Sequence, residues 1–166
     1  MNQRKMSKII TVVGKRGYGK TTLCKNIIAN SQYTNICIND YIGEYENLSL
    51  KNKMIFKVNN NIDLLIKFAW KLGNCLLVLD EVDLYGKNNS AIEFIYRYGR
   101  HKNIEIVAVS RRFYDLPVII RALTDYFFIF RITEKRDLEY LSRYIDNYRV
   151  EKIKSLPKYT FEIIKL

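Results

Sequence analysis

The chain has 166 residues, the length of one domain, and can bury a sizeable core. Apolar residues make up 48%, which excludes a disordered chain, and no apolar run approaches the roughly 18 residues of a membrane span. Lys and Arg number 28 against 17 Asp and Glu, a net charge of +11 spread along the chain; this suits either an anionic partner, nucleic acid first, or a basic enzyme with no polymer partner.

The basic segment Met1-Asn2-Gln3-Arg4-Lys5 is followed by only a short apolar stretch, which reads as a first strand rather than a signal peptide. Residues 8–13 (KIITVV) are apolar and β-branched, the pattern of a buried strand. Residues 14–19 form a glycine loop, and 20–30 read as a helix with Leu23, Ile27 and Ile28 on one face. Residues 35–39 (NICIN) are a short strand, 40–53 a polar loop and 54–58 another strand. Asn59–Asn61 caps a helix that runs to Leu72 and ends at Gly73-Asn74. Residues 75–79 (CLLVL) are continuously apolar, as in a parallel strand covered on both faces. A helix over 90–100, a buried strand over 104–109, a short helix over 117–123 and a strand over 126–132 follow. Residues 137–148 read as one helix with Leu138, Leu141, Tyr144 and Ile145 as its stripe, and 160–164 as a last edge strand. Alternating strands and helices imply an α/β fold, a mainly parallel central sheet sandwiched by helices. We expect a single domain over 1–166, with a small basic helical and strand extension from about 134 to 166.

Three widely spaced cysteines, Cys24, Cys37 and Cys75, read as free thiols in a reducing cytoplasm, and a lone His101 makes a zinc site untenable. The 13 tyrosines offer stacking faces for single strands or fill core and boundary positions.

The glycine loop carries the chemistry. Gly14-Lys15-Arg16-Gly17-Tyr18-Gly19-Lys20-Thr21 fits G-x-x-x-x-G-K-[ST], directly after a strand and opening a helix, as the motif requires. Its glycines let backbone N–H groups curl toward phosphates, and the helix adds its positive end. The residues from Gly14 through Thr22 are therefore the expected ATP-binding set. Lys20 reaches the β- and γ-phosphates, and Thr21 holds Mg²⁺.

Asp80 and Glu81 end the CLLVL strand, and ligands of such sheets bind at the carboxyl ends of strands. Asp80 suits the metal, directly or through water. Glu81 suits polarising a water for attack on the γ-phosphate, which favours hydrolysis over transfer to a small molecule. The strand over 104–109 ends at Ser110-Arg111-Arg112, where an arginine can pair with phosphate or with an acid. Arg97 and Arg100 precede the same strand, and an arginine from a neighbouring subunit can complete such a site.

These segments together resemble the HerA/FtsK superfamily of P-loop motor ATPases, and within it the genome-packaging ATPases of viruses and phages, over Lys8 to about Arg143. Asp40-Tyr41-Ile42-Gly43-Glu44-Tyr45 looks like the D-P-x-G-E-Y segment, and Leu79-Asp80-Glu81 like the Walker B element beside the Walker A loop. Gly99-Arg100-His101-Lys102-Asn103-Ile104 is similar to A-R-H-x-G-I, and Ser110-Arg111-Arg112-Phe113 to T-Q-R-P. Arg111 stands where the family has a glutamine sensor, so the role passes to Arg111 or Ser110. The resemblance implies a RecA/ASCE-like P-loop NTPase domain, Mg·ATP as cofactor, and a homo-oligomeric ring, pentamer or hexamer, around DNA. It implies a viral-type translocase, a possible capsid or portal partner, and a location in host cytoplasm or virion. Arg100 is the first choice for the inter-subunit finger, by analogy.

Candidate DNA contacts are Lys87 in the 86–89 loop and Arg143, Arg149, Lys152 and Lys154. Two other readings stand beside the translocase: a small nucleotide or nucleoside kinase, and an ATP-binding phage assembly or export factor.

Overall fold

The apolar runs become central strands because helices and loops cover both faces of the sheet. The structure, a computed structural model, describes residues 7–86 and 88–165. Its strands are β1 (Ile9–Val13), β2 (Asn35–Asn39), β3 (Met54–Val58), β4 (Cys75–Leu79), β5 (Ile104–Ser110), β6 (Tyr126–Ile129) and β7 (Glu162–Lys165). Its helices are α1 (Lys20–Asn30), α2 (Ile62–Leu72), α3 (Ser90–Tyr98), α4 (Val118–Leu123), α5 (Lys135–Leu141) and α6 (Asn147–Ser155). The strands form one sheet in the order β3-β2-β4-β5-β1-β6-β7. All pairs are parallel except β6 with β7.

Within β4, Cys75, Leu77 and Leu79 pack with α2 and α3 residues such as Leu65, Ile66 and Ile95, while Leu76 and Val78 pack with Cys24 and Ile28 of α1 on the other face. The unbroken hydrophobicity of this strand thus reflects two covered faces. Asn61 caps α2 as its sequence suggests, its side chain accepting from Leu64 N–H at 3.0 Å. All three cysteines are free and buried.

One expected helix is two. Over 137–148, α5 ends at Leu141, and Asp146 starts α6 by accepting from Arg149 N–H at 2.9 Å. A carboxylate that can cap a new helix competes with continuation of the old one, and here the cap prevails over the apolar stripe. From the stretch after 134, Leu141, Ile153, Leu156 and Ile164 join the same cluster as α2 and α3 residues.

β5 lies between β1 and β4. Its carboxyl end bonds to the start of the glycine loop, with Gly14 N–H donating to Ser110 O at 3.3 Å. On the other flank Phe130 N–H donates to Val13 O at 2.8 Å and Lys15 N–H to Arg131 O at 3.0 Å, so the chain beyond β6 also braces the loop. Gly14 has φ +147°, and a Cβ there would lie 2.6 Å from Phe130 Cβ and 3.1 Å from its backbone. Gly14→Ala therefore overpacks a backbone contact that cannot yield. We expect it to lower stability by about 2 kcal/mol in chemical denaturation; an unchanged midpoint would show that the loop is not clamped in this way.

Candidate nucleotide site

A cleft of about 340 Å³ opens at the carboxyl ends of the central strands, within the size range of small-ligand sites. Its floor is the glycine loop. Gly17 at φ +76° and Gly19 at φ +105° adopt left-handed backbone, which suits glycine, and let the loop curl into the start of α1. Arg16, Gly17, Gly19, Lys20, Thr21 and Thr22 all line the cleft. Gly14 is buried beneath it, Lys15 is exposed, and Tyr18 turns aside toward Arg131, whose Nη1 donates to the Tyr18 hydroxyl at 3.3 Å.

Lys20 is buried and folds over the loop, donating from Nζ to Gly14 O at 2.7 Å and to Lys15 O at 3.2 Å. Burial lowers its pKa, and the Glu81 and Asp80 charges oppose that shift. Both acids stand in the same cleft. Glu81 takes a left-handed backbone, φ 50° and ψ 44°, so the chain reverses immediately after β4 and both carboxylates reach the cleft. Asp80 Oδ1 accepts from Glu81 N–H at 2.9 Å, and its Oδ2 is buried with no partner. Glu81 Oε1 accepts from Arg111 Nε at 2.9 Å and Nη2 at 2.8 Å, while Oε2 is buried and unpaired. That pairing raises the Arg111 pKa.

The Ser110 hydroxyl accepts from Arg112 N–H at 3.2 Å and donates to Arg112 O at 2.9 Å. Ser110 thus closes the turn that aims Arg111 into the cleft, and of the two candidate sensors only Arg111 lines it. Arg112 is drawn away to Asp137 at 3.0 Å, and Arg97 makes an exposed pair with Glu93 on its own helix. Arg100 lies at the opposite end of the strands, before β5, bonded to Asp125 at 2.6 Å, while Asp125 also accepts from Ile9 N–H at the start of β1. The seven residues of β5 put it roughly 20 Å from this chain's own cleft. Among the proposed DNA contacts, Lys87 lies outside the described residues. Arg149 and Lys152 both pair with Glu162, and Lys154 with Glu151. Arg143 stacks on Tyr140, 4.6 Å from the ring centroid.

The tertiary structure adds residues that sequence reasoning left out of the site. Glu44 bonds the Thr21 hydroxyl. The loop delivers it by local means: Asp40 Oδ2 accepts from Tyr45 N–H at 3.1 Å, Tyr45 is fully buried, and Gly43 turns at φ +79°. The G-E-Y string was the signal in the sequence, read there as a family mark and not as a ligand set. Lys25 and Tyr159 also line the cleft.

The group implied by these residues is Mg²⁺. Among the described residues no three His, Cys, Asp or Glu side chains form a protein-only cage. An oxygen-seeking cation held mainly by phosphate and water fits the Thr21 hydroxyl and the unpaired Asp80 Oδ2.

A family model described as AAA domain matches residues 6–134. The chain belongs to the AAA-domain family. No curated protein matches it. Among solved structures, it is similar to the genome packaging NTPase B204 of Sulfolobus turreted icosahedral virus 2, with 23% identity, a TM-score of 0.78, and 96% of this chain and 91% of that one covered. B204 has been solved with ATP-γ-S and with AMPPCP. The chain is also similar to the pCW3 conjugation coupling protein TcpA, with 12% identity, a TM-score of 0.67, and 96% and 60% covered. The fold of this AAA-domain protein is thus that of P-loop NTPases, viral packaging enzymes included.

Burial raises the Asp80 carboxyl to about 7, and the Glu81 and Glu44 charges add to the rise. The folded state therefore keeps a proton that the unfolded chain releases near 3.8, and the contribution of Asp80 to stability is greatest below that pH and is lost as pH rises through about 7. In chelator-treated protein, Asp80→Asn should stabilise the fold by about 2–4 kcal/mol at about pH 8, with the gain shrinking toward about pH 5. Thermal melts across that range check this; equal gains at both ends would show that Asp80 is not the buried titrating group.

Proposed function

We propose that this AAA-domain chain hydrolyses ATP and uses the cycle to move DNA, as a motor of the genome-packaging type. The observation that carries the reading is the convergence, in one cleft, of the phosphate loop, Lys20, Asp80 and a buried Glu81 with one unpaired carboxylate oxygen. The loop amides and Lys20 bind the β- and γ-phosphates, for which Lys20 exchanges its carbonyl partners. Thr21 and Asp80 would hold Mg²⁺, which when bound neutralises charge on the phosphate oxygens. Glu81 accepts a proton from the attacking water through the oxygen that Arg111 leaves free. Arg111 orients that carboxylate and stands close enough to the cleft to sense the γ-phosphate.

A homo-oligomeric ring, pentamer or hexamer, would let an arginine of one subunit act in the site of the next. Arg100 fits that role only in trans, given its distance from its own cleft. The likeness in fold to a viral packaging NTPase and a conjugation coupling protein supports DNA as the moved polymer, with a capsid or portal vertex as the docking partner. The excess of basic residues suits contacts to the phosphate backbone without sequence reading.

Glu81→Gln should keep binding of a non-hydrolysable ATP analogue and lower phosphate release by about a hundredfold or more. Turnover equal to wild type would remove Glu81 from catalysis. Duplex DNA should raise phosphate release by the wild-type chain, and added salt should abolish the stimulation steeply. Phosphoryl transfer to nucleosides or nucleotides without hydrolysis would favour the kinase reading instead. Arg111→Ala should also lower turnover, and Arg111→Lys should not restore it, because two guanidinium nitrogens grip one Glu81 oxygen. Full activity in Arg111→Lys would contradict that role.

A further inference from the structure

The strand order gives the cleft a direction. Asp80 and Glu81 stand at the end of β4, on one flank of the glycine loop, and the segment leading into β7 lies on the other flank, beyond β1 and β6. A nucleotide whose γ-phosphate faces Glu81 therefore carries its base toward the β6–β7 side. Tyr159 comes from that side, and it is the one aromatic residue among the described residues that line the cleft.

Tyr159 is held as a ligand platform would be. Its backbone is left-handed at φ 65°, an arrangement unfavourable for a bulky residue, and its N–H donates to Tyr18 O at 2.9 Å inside the glycine loop. Its ring lies against Gly19, where a Cβ would come within 2.7 Å of Tyr159 Cδ1. Yet the residue is 66% exposed, so core burial does not repay the backbone cost. Neighbouring donors are spent on the corner itself: Thr160 N–H donates to Pro157 O at 3.3 Å and the Thr160 hydroxyl to the same oxygen at 2.8 Å. The corner thus offers a π-face without free backbone donors at Tyr159 or Thr160.

We propose that Tyr159 is the stacking platform for the base of the bound nucleoside triphosphate, favouring purines while discriminating little between adenine and guanine. This rests on the reading of the cleft as a nucleotide site. Stacking on an aromatic ring tolerates any base and gains with the area of the base, whereas selection of adenine over guanine needs hydrogen bonds, and the backbone donors of Tyr159 and Thr160 are already committed.

Calorimetry in the presence of Mg²⁺ tests it with non-hydrolysable ATP and GTP analogues and with inorganic triphosphate. Tyr159→Asn removes the ring and suits the left-handed backbone, and Tyr159→Phe keeps the face. Tyr159→Asn should weaken both analogues by about tenfold or more while triphosphate binds as before, which also reports an intact loop. Tyr159→Phe should match wild type. Unchanged analogue affinity in Tyr159→Asn, an equal loss for triphosphate, or a preference beyond about tenfold between the two analogues would overturn the platform. A wild-type chain that binds neither analogue nor triphosphate would instead sink the nucleotide reading on which it stands.

Discussion

β5 is hydrogen-bonded to β1 on one side and to β4 on the other, and this insertion sets the spacing on which the site depends. Strands lie about 4.8 Å apart, so the phosphate loop after β1 and the acidic pair after β4 face each other across roughly 10 Å. That gap suits a phosphoryl group, a hydrated cation and an attacking water. Adjacent strands would bring the carboxylates against the loop, and a wider separation would put Glu81 out of reach. The same strand supplies Ser110, whose turn presents Arg111 between the two halves.

Charge balance follows from that spacing. Lys20, Asp80 and Glu81 are buried, Arg111 and Glu44 stand beside them nearer to solvent, and each side chain has a protein partner for part of its hydrogen-bonding capacity. What is left unpaired is acidic, Asp80 Oδ2 and Glu81 Oε2. Buried carboxylate oxygens without donors are costly, and a raised Asp80 pKa is the expected response. The partners that relieve this cost most directly are a cation at Asp80 and a water at Glu81. The fold tolerates this cost because the surrounding strands are buried on both faces.

The C-terminal stretch takes part in the same arrangement. β7 closes the sheet beside β6, and the bend at Tyr159 reaches the glycine loop through Tyr18. Arg149 and Lys152 are drawn to Glu162 by this docking, so part of the basic excess in α6 fastens α6 to β7 and is less available to an outside polyanion.

Much of this was legible in the amino-acid sequence, and the reasons are local. A phosphate cradle needs glycines, a lysine and a threonine at fixed spacing within one short stretch, so Gly14–Thr22 declares itself. Strands covered on both faces read as unbroken apolar runs, and Asp80-Glu81 follows one of them directly. The misjudged helix at 137–148 was also a local matter, since Asp146 carried a capping signal that the apolar stripe obscured. What tertiary structure alone decided is which strand ends are neighbours and hence which side chains meet. Apolar periodicity reports that a strand is buried, not beside which strand it lies, so the order that places β5 between β1 and β4 has no local signature. Glu44 reaches Thr21 from 23 residues away, Arg111 reaches Glu81 from 30 and Arg100 is tied to Asp125 at the amino ends of the strands. The sequence marks these residues as candidates but not their partners, because long-range pairing is fixed by packing and not by spacing along the chain.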